Sequence, residues 1–100
     1  MAKWADYCIS GVKYSDDQTH IEKVRVHEDK GDKLGGGIIW SRTQVITKIE
    51  DGYSFVTVYK DNGKWKKGET VHIVEVDDEK YIRTDKNKTK NDNLGSLPEI

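Results

Sequence analysis

Three histidines, one cysteine, a triple glycine and two basic clusters with aromatics are the residues of this chain that could carry chemistry. His20, His27 and His72 are of the type that binds transition metals, but they lack the paired His/Cys spacings of zinc sites. His20 beside Glu22, and His27 beside Glu28, read as ordinary solvated strand residues, so no metal is assigned. Cys8 would be a nucleophile if a histidine approached it in space. A lone cysteine in strand-forming sequence is more often a small buried apolar group, and that reading is preferred. As the single cysteine it also rules out an internal disulfide. Gly35-Gly36-Gly37 precedes a helical stretch as a phosphate cradle would. Neither a Lys-Ser/Thr nor a Gly-x-Gly-x-x-Gly pattern accompanies it, so it reads as a flexible loop. No catalytic residue and no cofactor is assigned.

The basic clusters point to binding. The run from Lys60 to Lys67 has a net charge of +3, and so has the run from Glu79 to Lys90, which holds Tyr81 and Arg83. An antiparallel topology would bring them together. Lys64, Trp65, Lys66, Lys67, Tyr81 and Arg83 then make a candidate binding patch, with Trp65 and Tyr81 as stacking platforms for single-stranded nucleic acid. The competing reading is that lysines on hairpin tips and edge strands keep a sheet from pairing with other sheets. The charge balance favours the second reading. There are 17 basic and 18 acidic residues, net −1, divided evenly between the two halves. No general attraction to nucleic acid or to an anionic membrane is therefore built in. The chain starts without an apolar export segment and has no bilayer-length apolar run, so a cytoplasmic protein without membrane contact is expected. In that setting the acceptor pattern Asn87-Lys88-Thr89 would not be glycosylated.

The elements that must position these residues are mostly strands, arranged around one helix. Ser41 followed by Gln44 is a capping box, and Trp40 with Val45 occupies the positions of a hydrophobic staple. Val45, Ile46 and Ile49 recur at helical spacing, and Gly52 stands where a left-handed cap belongs. Strands are expected over 5–14, 19–28, 53–60, 70–76 and 80–84. In the first, Tyr7 and Ile9 have the opposite parity to Val12 and Tyr14, so a bulge or bend is expected near Gly11. Asn62-Gly63 and Asp77-Asp78-Glu79 read as tight turns. The expected fold is thus α+β: an antiparallel sheet of about five strands, order β-β-α-β-β-β, with one helix packed on it. A curled, barrel-like sheet is the alternative. One domain, 1–100, is expected. Leu94, Leu97 and Pro98 imply a tail that docks on the core.

Several stretches together resemble a small bacterial family known as domain of unknown function 3892. They are Ile9-Ser10-Gly11-Val12, His20 to Val24, Trp40-Ser41-Arg42 with Val45 and Ile49, Phe55-Val56-Thr57, Lys80 to Asp85, Asp92-Asn93-Leu94 and Leu97-Pro98. The resemblance covers most of the chain and implies one compact intracellular domain. It carries over no activity, cofactor or catalytic residue. It also implies that the tail belongs to the fold, with Asn93 suited to satisfy strand-end backbone groups.

Three functions remain open. The first is a non-enzymatic binding or accessory module, whose partner is a protein or single-stranded nucleic acid. The second is a self-associating protein that uses an unpaired edge strand. The third is a small enzyme with a pocket between helix and sheet, drawing on Arg42, His27, Cys8 and His72.

Overall fold

The computed structural model describes residues 4–16, 20–31, 33–84, 92–94 and 97–100. Seven strands and one helix follow one another: β1 (Tyr7–Tyr14), β2 (Ile21–Glu28), β3 (Ile38–Ser41), α1 (Arg42–Glu50), β4 (Phe55–Asp61), β5 (Lys64–Thr70), β6 (His72–Val76) and β7 (Glu79–Arg83). The first five strands form one open sheet, order β3-β2-β1-β4-β5, and β6 pairs with β7 in a separate ribbon.

The helix follows its sequence signals. Ser41 Oγ accepts from the Gln44 N–H, and Gln44 Oε1 accepts from the Ser41 N–H. At the other end Gly52 has φ +101°. Its N–H bonds Ile49 O while Tyr53 N–H bonds Lys48 O, which completes a Schellman cap. Val45 is fully buried; Ile46, Ile49 and Trp40 pack partly buried against the same core.

The expected antiparallel sheet is corrected at one pairing. β1 pairs antiparallel with β2 but parallel with β4, so the sheet is mixed. The parallel pair arises because β3 leads into α1, and the chain then returns over the sheet to begin β4 beside β1. One helical crossover suffices for one parallel neighbour. The two outer strands, β3 and β5, do not pair with each other, so no barrel forms. The sheet has five strands as expected, but its membership differs, and two further strands form the ribbon. Ile38–Ser41 reads as a lead into the helix, and Lys64–Thr70 has no apolar alternation, yet both are strands. The expected strand 70–76 breaks at Val71, whose N–H bonds Phe55 O.

Bulges explain the parity. Ile9 pairs with Val26 and Gly11 with Arg25, so Ser10 is an extra residue on β1. Ile9 and Val12 consequently reach the same core. An extra Glu22 on β2 likewise lets Ile21 and Val24 share it. The turns at Asn62-Gly63 and Asp77-Asp78 have positive φ at both central residues, as type I′ hairpins require.

The sheet buries both faces. One carries Ile9, Val12, Val24, Val26 and Phe55, covered by α1, the β6–β7 ribbon and Leu94. The other carries Cys8, Val56 and Val58, covered by Trp4, Ala5, Leu34 and Trp65. The tail docks as expected: Asn93 bridges to Arg83 and Glu99 to Val12, and Leu94 is buried.

Candidate functional site

On the face that holds Cys8, the reactive residue types are consumed by structure. Asp29 is buried and accepts from the backbone N–H groups of Trp4, Ala5 and Gly31. The Cys8 thiol lies 3.9 Å from its Oδ2. Burial and the neighbouring Asp29 carboxylate push the Cys8 thiol up to about 12, so the nucleophilic thiolate is withheld at neutral pH. His27, also buried, bonds Gly35 O through Nδ1 at 2.8 Å and Ser10 Oγ through Nε2 at 2.7 Å. A carbonyl can only accept, so Nδ1 carries a proton and donates to Gly35 O, while Nε2 shares a hydrogen bond with the Ser10 hydroxyl. The order is that of a nucleophile and its base. Ser10 and His27 are nevertheless both buried, and the Trp65 ring lies 5.2 Å from the imidazole. The trio works as a satisfied buried network that joins the bulge, β2 and the glycine loop.

A second ionic cluster joins the tail to three elements on the opposite face. Asp92 is 2 % exposed. Its Oδ2 accepts from Ile21 N–H at 2.7 Å and from Arg42 Nε at 2.6 Å, and its Oδ1 from Ile82 N–H at 2.9 Å. Arg42 also donates to Lys80 O and lies over the Tyr81 ring. Beside it, the Asn93 main chain pairs with Ile82 and Thr84, so both residues satisfy strand-end backbone groups. Tyr81 donates to Glu79, and that hydrogen bond, reinforced by burial, holds its phenol above the usual range. Lys80 is raised by its hydrogen bond to Glu50.

The six residues of the candidate patch fall into two groups. Lys64, Lys66 and Lys67 are exposed on β5 beside half-buried Trp65. Trp65 packs with Cys8 and Val58, has His27 at 5.2 Å and holds the Lys60 ammonium 4.9 Å from its ring centroid. Tyr81 and Arg83 are 3 % and 4 % exposed, in the ribbon that covers the other face; Tyr81 stacks on His20 at 5.5 Å. Successive residues Cys8 and Ile9 point to opposite faces, so Trp65 and the β6–β7 ribbon lie on opposite sides of the sheet. Lys86, Lys88, Lys90 and Asn87 lie outside the described residues.

The enzyme candidates are divided in the same way. Cys8 and His27 share one face; Arg42 is engaged with Asp92 on the other, and His72 pairs in register with Arg83. Among the described residues no group of three or more His, Cys, Asp or Glu is placed to hold a metal. None of the described helices is long and apolar enough to cross a membrane.

One surface remains, and it was not evident in the sequence. β3 is an edge strand without a charged residue, and it leaves Ile38 53 % and Ile39 51 % exposed. Beside it a groove of about 210 Å³ is lined by Trp40, Ser41, Thr43, Gln44, Thr47 and Lys48. Sequence reasoning treats Ile38-Ile39 as a lead into the helix, because two adjacent apolar residues carry no signal for an exposed edge. The opposite edge, β5, carries Lys64, Lys66 and Lys67, the usual protection against strand addition.

No curated protein and no solved structure matches the chain. A family model described as "Protein of unknown function (DUF3892)" matches residues 8–98. Those bounds take in β2 to β7, α1 and the Arg42–Asp92 clasp, and the chain belongs to that family.

Proposed function

We propose that the protein is a non-enzymatic binding module, working in the cytoplasm, whose contact surface is the β3 edge and its groove. The observation that carries this reading is the contrast between the two sheet edges. β5 is defended by lysines, whereas β3 exposes two isoleucines beside a groove. The uses found for Cys8, His27 and Asp29 in holding the fold support it further. Amide-shift titration of labelled protein tests it. Extended peptides should shift residues 37–48, and failure of any peptide to do so removes the reading.

A second reading is favoured by the four lysines 60, 64, 66 and 67 around Trp65. These would hold single-stranded nucleic acid by charge, with the indole freed when Lys60 moves aside. Oligonucleotide affinity that falls steeply with salt, with shifts at residues 60–67, would favour it over the β3 surface.

A further inference from the structure

We infer that the β3 edge takes up an extended, acidic segment of a partner protein as an added strand. This rests on the reading of the chain as a binding module and names the site's register and the partner's charge.

The backbone sets the register. The Ser41 N–H is used by Gln44 Oε1, so Ser41 and its partner Lys23 form a pair without mutual hydrogen bonds. Pairs of the two kinds alternate along an antiparallel ladder. Trp40 and Ile38 therefore bond to β2, and Ile39 turns both its N–H and its C=O toward the open edge. An extended chain laid there can exchange two hydrogen bonds with Ile39. Its side chains then alternate, one set over the groove by Trp40 and the other beside Ile39.

The charge chooses the occupant. The ionisable residues paired with β3 or lining its groove are Lys23, Arg25 and Lys48, and all three are cations. Arg25 is aimed at the edge. A Cβ on Gly37 would stand 2.8 Å from Arg25 Cδ and 2.9 Å from Cγ, so the stem of Arg25 lies against the chain at Gly37. Its Cγ and Cδ thus lie beside the residue that leads into β3, and Arg25 is exposed. Lys48 stands on the groove side of the same edge, 4.9 Å from the Tyr53 ring centroid. Carboxylates at alternate positions of an added strand share one face, where they would meet Arg25, while the residues between them lie over the groove beside Lys48. A second copy of this chain would instead bring an identical set of cations, on a strand of only four residues.

The test uses the full chain and two capped hexapeptides, one alternating glutamate with valine, the other lysine with valine. The acidic peptide should bind with amide shifts at residues 37–48. Arg25→Ala should weaken it about tenfold, the usual size of one lost charge-assisted contact, and added salt should weaken it as well. Ile39→Pro, which removes the outward N–H at an edge that tolerates proline, should abolish binding with the melting temperature kept. Equal binding of the lysine peptide overturns the inference, as does an acidic-peptide affinity indifferent to Arg25→Ala. Sedimentation showing a dimer that Ile39→Pro dissolves assigns the edge to a second copy and also overturns it. If neither peptide binds while an oligonucleotide shifts residues 60–67, the strand-addition proposal fails and a binding module of another kind remains.

Discussion

At the scale of single residues, the groups that look reactive are those the fold has disarmed. Cys8 is the clearest case, because a physical quantity follows its burial. Its folded-state pKa, raised to about 12, exceeds the ordinary thiol value, so above pH 9 the unfolded chain loses a proton that the folded chain keeps. Folding stability contributed by this group is therefore complete below pH 9 and is lost as pH rises toward 12. The slope is at most about 1.4 kcal/mol per pH unit, the value of one proton. Alkaline urea titrations should show that decline, and Cys8→Ala should flatten it. A thiol reagent at pH 8 should label the native protein only as fast as it unfolds. Rapid labelling of native protein would mean that the thiol is neither buried nor raised.

At the scale of elements, the helix was legible because its signals are local. Ser41, Gln44, Val45 and Gly52 lie within a dozen residues and act within that span. The two type I′ turns were legible for the same reason. β5 was not, because its folding is decided by its neighbour rather than by its own pattern. Between Val56 and Val58 the β5 register slips by one residue, and Thr57 Oγ1 accepts the Glu69 N–H that the slip leaves over. The bulge needs Gly68: a Cβ there would stand 2.3 Å from Thr57 Oγ1 and 3.0 Å from Thr57 O. A rotation of Thr57 to clear it would break the bond to Glu69. Gly68→Ala should thus cost about 1–3 kcal/mol, the usual range for overpacking. Equilibrium denaturation measures it, and a neutral result would mean that the bulge relaxes without loss.

At the scale of the whole molecule, alternation within a stretch shows which residues are buried but not which distant strand they meet. That is why the parallel β1–β4 pairing and the separation of Trp65 from Tyr81 had to come from coordinates. The docking of the tail was foreseen from Leu94, Leu97 and Pro98, but the group that fastens it was not. Asp92 reads in sequence as one more acid in a polar tail. In space it is held by Ile21, Ile82 and Arg42, residues 71, 10 and 50 positions away. One carboxylate thereby ties together the start of β2, the ribbon and the first turn of α1. Asp92→Ala would leave the Arg42 guanidinium and two backbone N–H groups without their acceptor, a loss of about 3–5 kcal/mol for a broken buried pair. Against a total of about 5–15 kcal/mol for a domain this size, that is a large share. The urea midpoint should fall accordingly, and the Ile21 and Ile82 amides should lose hydrogen-exchange protection before the central β1 amides do. Arg42→Ala should cost less, because Asp92 keeps both backbone donors. Equal costs for the two substitutions would show that the ion pair, rather than the tie between tail, strand and ribbon, is what the carboxylate supplies.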